Sequence, residues 1–168
     1  MTTLLQRGRA LLVMLVAFAQ WAPTLAQEDL AWHGYEDSEG ALLFYGIPDS
    51  DYAPLVFSCS ADSAGITFTY TMTPGDHAAD GAADGMEQDV RLEAGSHQIS
   101  LKMTGSRLEL DDSFALEGRL PFDDQLGNLF ATHGSLLVFV GDRAAEFPLK
   151  GADSAAAGFL AACRTMGS

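Results

Sequence analysis

Residues Ile66 to Met72 alternate without a break: Ile66, Phe68, Tyr70 and Met72 interleave with Thr67, Thr69 and Thr71. A period of two puts the four large apolar side chains on one face of an extended strand and the three hydroxyls on the other. A helix scatters the same pattern, because successive helical side chains point about 100° apart. The β-branched and aromatic content favours the strand independently. A strand with one apolar face cannot stand alone, so this segment commits the chain to a sheet that is buried on one side.

Other segments supply the neighbours. Leu55–Ser60 carries Leu55, Phe57 and Cys59 on one face and is separated from Ile66 by the short 61–65 segment, which predicts a hairpin. Ala41–Tyr45 reads as the first strand, ended by the turn residues Gly46-Ile47-Pro48-Asp49-Ser50-Asp51. Asp49 and Asp51, two residues apart in one turn, suit Asx-type capping. They do not suit the paired carboxylates of a glycosidase, which face each other across a cleft. Further strands are predicted at Gln88–Leu92, at Gln98–Met103 and at Phe114–Leu120. Leu136–Val140 is continuously apolar and reads as a central strand buried on both faces. Gly141-Asp142 then turns into 144–149, where Pro148 marks an edge.

Two helices complete the inventory. Leu126, Leu129 and Phe130 have helical spacing and predict a short helix over 123–131. Asp153 caps a second, running to about Arg164, whose Ala156, Phe159, Leu160 and Cys163 share one apolar face. The expected fold is mostly β: an antiparallel β-sandwich or distorted barrel of about seven or eight strands with a C-terminal helix. Residues 41–168 form one β-rich domain, and 27–40, acidic with isolated Trp32 and Tyr35, form a lead-in segment.

The two cysteines, Cys59 and Cys163, fall on the apolar faces of a strand and of the terminal helix. An even pair pointing into one core reads as a disulfide, and disulfides belong to oxidising compartments. Residues 1–26 agree with such a destination. Arg7 and Arg9 precede the apolar stretch Ala10–Ala19, and Ala22-Pro23-Thr24-Leu25-Ala26 ends it with small residues. This is the layout of a Sec-type signal peptide, implying a periplasmic or secreted protein. The apolar stretch is too short to cross a bilayer, which takes about 20 residues. No transmembrane segment is expected after cleavage. The two arginines are separated by Gly8, and no cysteine lies at the cleavage site to carry a lipid.

Charge narrows the partners. The chain carries 9 Lys+Arg against 23 Asp+Glu, a net charge of −14. Without Arg7 and Arg9, seven bases face the same 23 acids, −16 over the remaining 142 residues. Nucleic acid is excluded as a partner, because no basic footprint exists to neutralise phosphates. A cationic protein or a cell-envelope component is the partner class such a surface favours.

Motifs that carry chemistry are sparse. The chain has no G-x-S-x-G elbow, P-loop or G-x-G-x-x-G fingerprint, so no cofactor and no catalytic residue is assigned. His33, His77, His97 and His133 are scattered. In the small-residue acidic loop, Asp76, His77, Asp80 and Asp84 are weak metal candidates, since hard cations want clustered oxygens. They would serve a metal-dependent enzyme built on the 76–85 loop, but the EF-hand order is missing. The reading from the residues is a non-catalytic binding or envelope-accessory domain with no ligand assigned.

Two resemblances bear on this reading. The segment Leu43-Phe44-Tyr45-Gly46-Ile47-Pro48-Asp49-Ser50-Asp51, followed by Leu55-Val56-Phe57-Ser58-Cys59, resembles uncharacterised small secreted or periplasmic proteins of alphaproteobacteria. Their pattern is a strand ending in Tyr-Gly-x-Pro-x-(Ser/Thr)-Asp and then a Cys-bearing strand. Phe147-Pro148-Leu149-Lys150-Gly151, with Phe159, Leu160 and Cys163, is similar to their closing motif. That resemblance implies a disulfide-closed periplasmic β-domain and names no substrate. The stretch from Phe57-Ser58-Cys59 through Ile66-Thr67-Phe68-Thr69-Tyr70 also looks like the Cys-bearing hairpin of periplasmic lysozyme inhibitors, which bind a cationic enzyme. This chain lacks the Ser-Gly-x-x-Tyr loop that those inhibitors insert into the lysozyme active site.

Overall fold

A computed structural model describes residues 30–72, 83–109 and 113–166. Nine strands form one antiparallel sheet: β1 (Ala31–Glu36), β2 (Gly40–Gly46), β3 (Leu55–Ser60), β4 (Ile66–Met72), β5 (Glu87–Ala94), β6 (His97–Arg107), β7 (Phe114–Leu120), β8 (Ser135–Val140) and β9 (Arg143–Pro148). Their spatial order is β1-β2-β3-β4-β7-β6-β5-β8-β9, so the two halves join where β4 pairs with β7. The sheet curls into a half-barrel. Two helices, α1 (Gln125–Phe130) and α2 (Ala152–Met166), pack against the inner face.

Alternation sets that face. Leu43, Leu55, Phe57, Ile66, Phe68, Leu92, Leu116 and Val138 lie inside and are fully buried. Phe57 stacks on Phe68 at 4.5 Å, and Trp32 meets Phe130 edge-on at 5.0 Å. The threonines of β4 lie on the opposite face, as expected, half-buried, with Thr67 beside Ser58 and Thr69 beside Val56. Two glycines are required by packing. At Gly34 a Cβ would sit 2.6 Å from the Ala155 carbonyl, so glycine lets α2 lie directly on β1. At Gly105 a Cβ would collide with the ring of Phe114, which fills that place in the inner layer.

The structure corrects the sequence reading at three places. Residues 31–36, expected in a lead-in outside the domain, form β1, which pairs along its whole length with β2. Its inner face is Trp32, Gly34 and Glu36; with one large apolar residue among them, no alternation announces the strand. Strand β8 is not central. It is second from the edge, and its outward Leu137 and Phe139 are half-buried, with the Arg91 guanidinium 4.3 Å over the Phe139 ring. Helix α2 begins at Ala152, which places Asp153 inside the first turn, where its carboxylate favours the helix dipole.

Cys59 and Cys163 are disulfide-bonded, with Cα atoms 5.8 Å apart. The bond ties α2 to β3. Among the described residues, no helix is long and apolar enough to cross a membrane.

Candidate functional site

The two ends of the curled sheet approach each other but do not pair. The indole Nε1 of Trp32 on β1 donates to the carbonyl of Pro148 on β9 at 2.7 Å, and no ladder joins the two strands. This single bond pins one end of an open seam.

The free side of that seam follows from the β8–β9 register. Gly141, with φ of 60°, and Asp142 make the two-residue hairpin turn, so Val140 and Arg143 close the ladder. Hydrogen-bonded pairs then alternate, at Val140–Arg143, Val138–Ala145 and Leu136–Phe147. Ala144, Glu146 and Pro148 therefore turn their backbone groups away from β8. Pro148 fits this position because it has no N–H to lose, and its outward carbonyl is the one Trp32 uses. Among the described residues, the outward N–H and C=O groups of Ala144 and Glu146 have no hydrogen-bond partner.

Beside this edge lies a groove of about 430 Å3. Its walls are Tyr45, Tyr52 and Tyr70 from one half of the sheet and Glu146, Phe147 and Pro148 from the other. Tyr45 and Tyr70 meet the Phe147 ring edge-on at 5.6 and 6.2 Å. Burial, reinforced by the neighbouring Tyr52, holds the Tyr45 phenol above its ordinary pKa. Tyr52 stays half in solvent, on a loop that Ser50 braces by donating to the Ile47 carbonyl at 2.9 Å.

A second surface lies on the outer face at the β1–β2 end. Tyr35, 55% exposed, stacks on Phe44 at 5.9 Å, and His33 also packs on Phe44 at 5.1 Å. Glu36, Asp37 and Glu39 surround the adjoining hairpin tip. Asp37 accepts from the backbone N–H groups of Glu39 and Gly40 at 2.8 and 2.9 Å, and these bonds hold its carboxyl below the usual range.

Charge divides the molecule along the β4–β7 joint. From Ala10 to Val90 the chain contains no Lys or Arg, while residues 27–90 carry 13 Asp and Glu. Residues 31–72, which form β1–β4, carry six of these acids, Glu36, Asp37, Glu39, Asp49, Asp51 and Asp62, and no base. The bases of the described residues lie in the other half and on the segment that ends in α2, several of them beside acids: Arg91 with Glu93 at 2.5 Å, Lys102 with Asp89 at 3.1 Å, and Arg164 of α2 with Asp124 at 2.6 Å. Composition alone hid this partition. The signal was the order of charges along the chain, and it acquires meaning only once β1–β4 are seen to be contiguous.

Of the metal candidates, Asp76, His77 and Asp80 lie outside the described residues, as does the leader expected over 1–26. Asp84 is described: its Oδ1 accepts from the Arg107 backbone N–H at 2.6 Å and so extends the end of β6. Among the described residues, no three His, Cys, Asp or Glu side chains gather into a metal-binding group. Comparison with protein-family models, curated proteins and solved structures gave no match.

Proposed function

We propose that this chain is a non-catalytic, extracytoplasmic binding domain whose partner is a cationic protein surface met by its β1–β4 half. The observation that carries the reading is the partition of charge: six acids and no base over residues 31–72, which form the contiguous strands β1–β4. A field of one sign over one face steers an oppositely charged partner and orients it on arrival. The Cys59–Cys163 bond suits an oxidising compartment, and the leader read over 1–26 suits export to one. Exposed Tyr35 and Tyr52 give this acidic half aromatic faces that attract Lys and Arg side chains.

The test uses lysozyme and a polylysine peptide as cationic probes at low and high salt. Binding is expected at low salt and is expected to weaken by roughly tenfold or more at high salt. Neutralising Glu36, Glu39 and Asp62 to their amides should weaken it. Neutralising Glu87, Glu117 and Asp142, all in the other half, should leave it nearly unchanged. Equal losses from the two sets, or no binding of either probe at low salt, overturns the proposal.

A further inference from the structure

We propose that the seam is a strand-addition site: an extended segment of the cationic partner lies along the free edge of β9 and sets alternate side chains into the aromatic groove. The inference rests on the reading above for the partner's charge, and adds to it how and where the partner is held.

Three observations meet at this place. The first is the edge itself. Ala144 and Glu146 each present an N–H and a C=O without a partner among the described residues, four ladder positions in all. Strand addition uses such groups for affinity and uses pockets beneath alternate side chains for specificity. The second is the groove of Tyr45, Tyr70 and Phe147, which lies beside that edge, where inward side chains of an added strand would point. Tyr45 and Tyr70 each already pack on Phe147, so the groove floor needs no rearrangement to receive an apolar group. The third is charge. No Lys or Arg lines the groove, Glu146 stands at its rim, and the wall that carries Tyr52 comes from the loop holding Asp49 and Asp51.

These features specify the occupant. It is an extended peptide segment with basic residues on its outward positions and apolar or aromatic residues on its inward ones. The Trp32–Pro148 bond closes one end of the seam, so the segment pairs alongside Arg143 to Glu146 and stops short of Pro148. A second copy of this chain is disfavoured, because it would bring another net charge of −14 against the same edge.

The experiment titrates the disulfide-bonded protein with the peptide Lys-Val-Lys-Tyr-Lys-Val-Lys at low salt, and with the same peptide N-methylated on alternate amides. Affinity and the exchange of the Ala144 and Glu146 amide protons are read together. Binding should slow exchange at both amides, and methylation should weaken binding about tenfold. Ala144→Pro removes one outward N–H at a position equivalent to that of Pro148, and should weaken binding similarly with the thermal midpoint unchanged. Salt-sensitive binding that is indifferent to methylation and to Ala144→Pro overturns the strand-addition site and leaves the cationic partner standing. If neither this peptide nor lysozyme and polylysine binds at low salt, the cationic reading fails and the inference falls with it. Slow exchange at Ala144 and Glu146 without peptide also overturns the inference: concentration-dependent protection assigns the edge to a second copy, and concentration-independent protection assigns it to the chain itself.

Discussion

Replacing Cys59 and Cys163 together by alanine should lower stability by about 4 to 5 kcal/mol. The bond closes a segment with a sequence separation of 104 residues. Constraining a loop of that size in the unfolded chain is worth about 4.7 kcal/mol in the chain-entropy account. Both sulfurs are buried, Cys163 in the packed face of α2, so the paired substitution also loses some packing and the estimate leans low. Alanine is preferred to serine because a hydroxyl at either place would be buried without a designed partner. The assay is urea unfolding followed by tryptophan fluorescence. Trp32 is the one tryptophan beyond the predicted leader, and it is buried among Tyr45, Phe57 and Phe130. With a slope of roughly 2 kcal/mol per molar urea, the midpoint should fall by about 2 M. A fall below about 0.5 M at unchanged slope would refute the reasoning, because α2 would then be held by its apolar face alone.

Four further outcomes are expected. Phe68→Ala, at a fully buried ring stacked on Phe57, should cost about 3 to 5 kcal/mol, read as a lowered midpoint in the same unfolding assay. Gly105→Ala should cost roughly 1 to 3 kcal/mol, because its methyl meets the ring of Phe114, and trimming that ring in Gly105→Ala/Phe114→Leu should recover part of the loss. Asp37 should titrate below 3.8 by NMR. Its ionised form is the one held by the backbone of Glu39 and Gly40, so the stabilisation is present above the ordinary pKa and is lost as pH falls through the lowered one; Asp37→Asn should remove that pH dependence at the hairpin tip. Tyr45 should ionise above 10.0 in a spectrophotometric titration; its neutral form is favoured in the fold, so its contribution holds below the ordinary phenol value and disappears as pH rises through the raised one.

Elements with an apolar face of their own were legible. The alternation of β4, the Cys-bearing β3, and the helical face of Phe159, Leu160 and Cys163 each state their packing in a few residues, and the disulfide follows from where those faces point. Strand β1 was hidden because its inner face is used for other purposes: Gly34 makes room for Ala155, and Glu36 lies at the rim. The far end of β6 was hidden for a similar reason, since Gly105 leaves its place to a ring from β7. Strand order was out of reach. β4 and β7 are neighbours although the β5–β6 hairpin lies between them in sequence, and nothing local in either strand encodes that pairing. The seam was unreadable for the same reason, because it exists only between the first strand and the last.

The position of α2 in the chain has a consequence for the order of events at synthesis. It is the last described element, yet it covers strands β1, β2 and β3, the earliest. As the polypeptide emerges, strands β1 to β3 can pair into a meander but cannot shield their apolar face until α2 arrives. Throughout that interval Cys59 waits as an accessible thiol. Closure of this core thus waits on α2, and a chain interrupted before residue 152 would keep an open core and an unpaired cysteine, two marks by which quality-control proteases and thiol oxidoreductases distinguish unfinished chains.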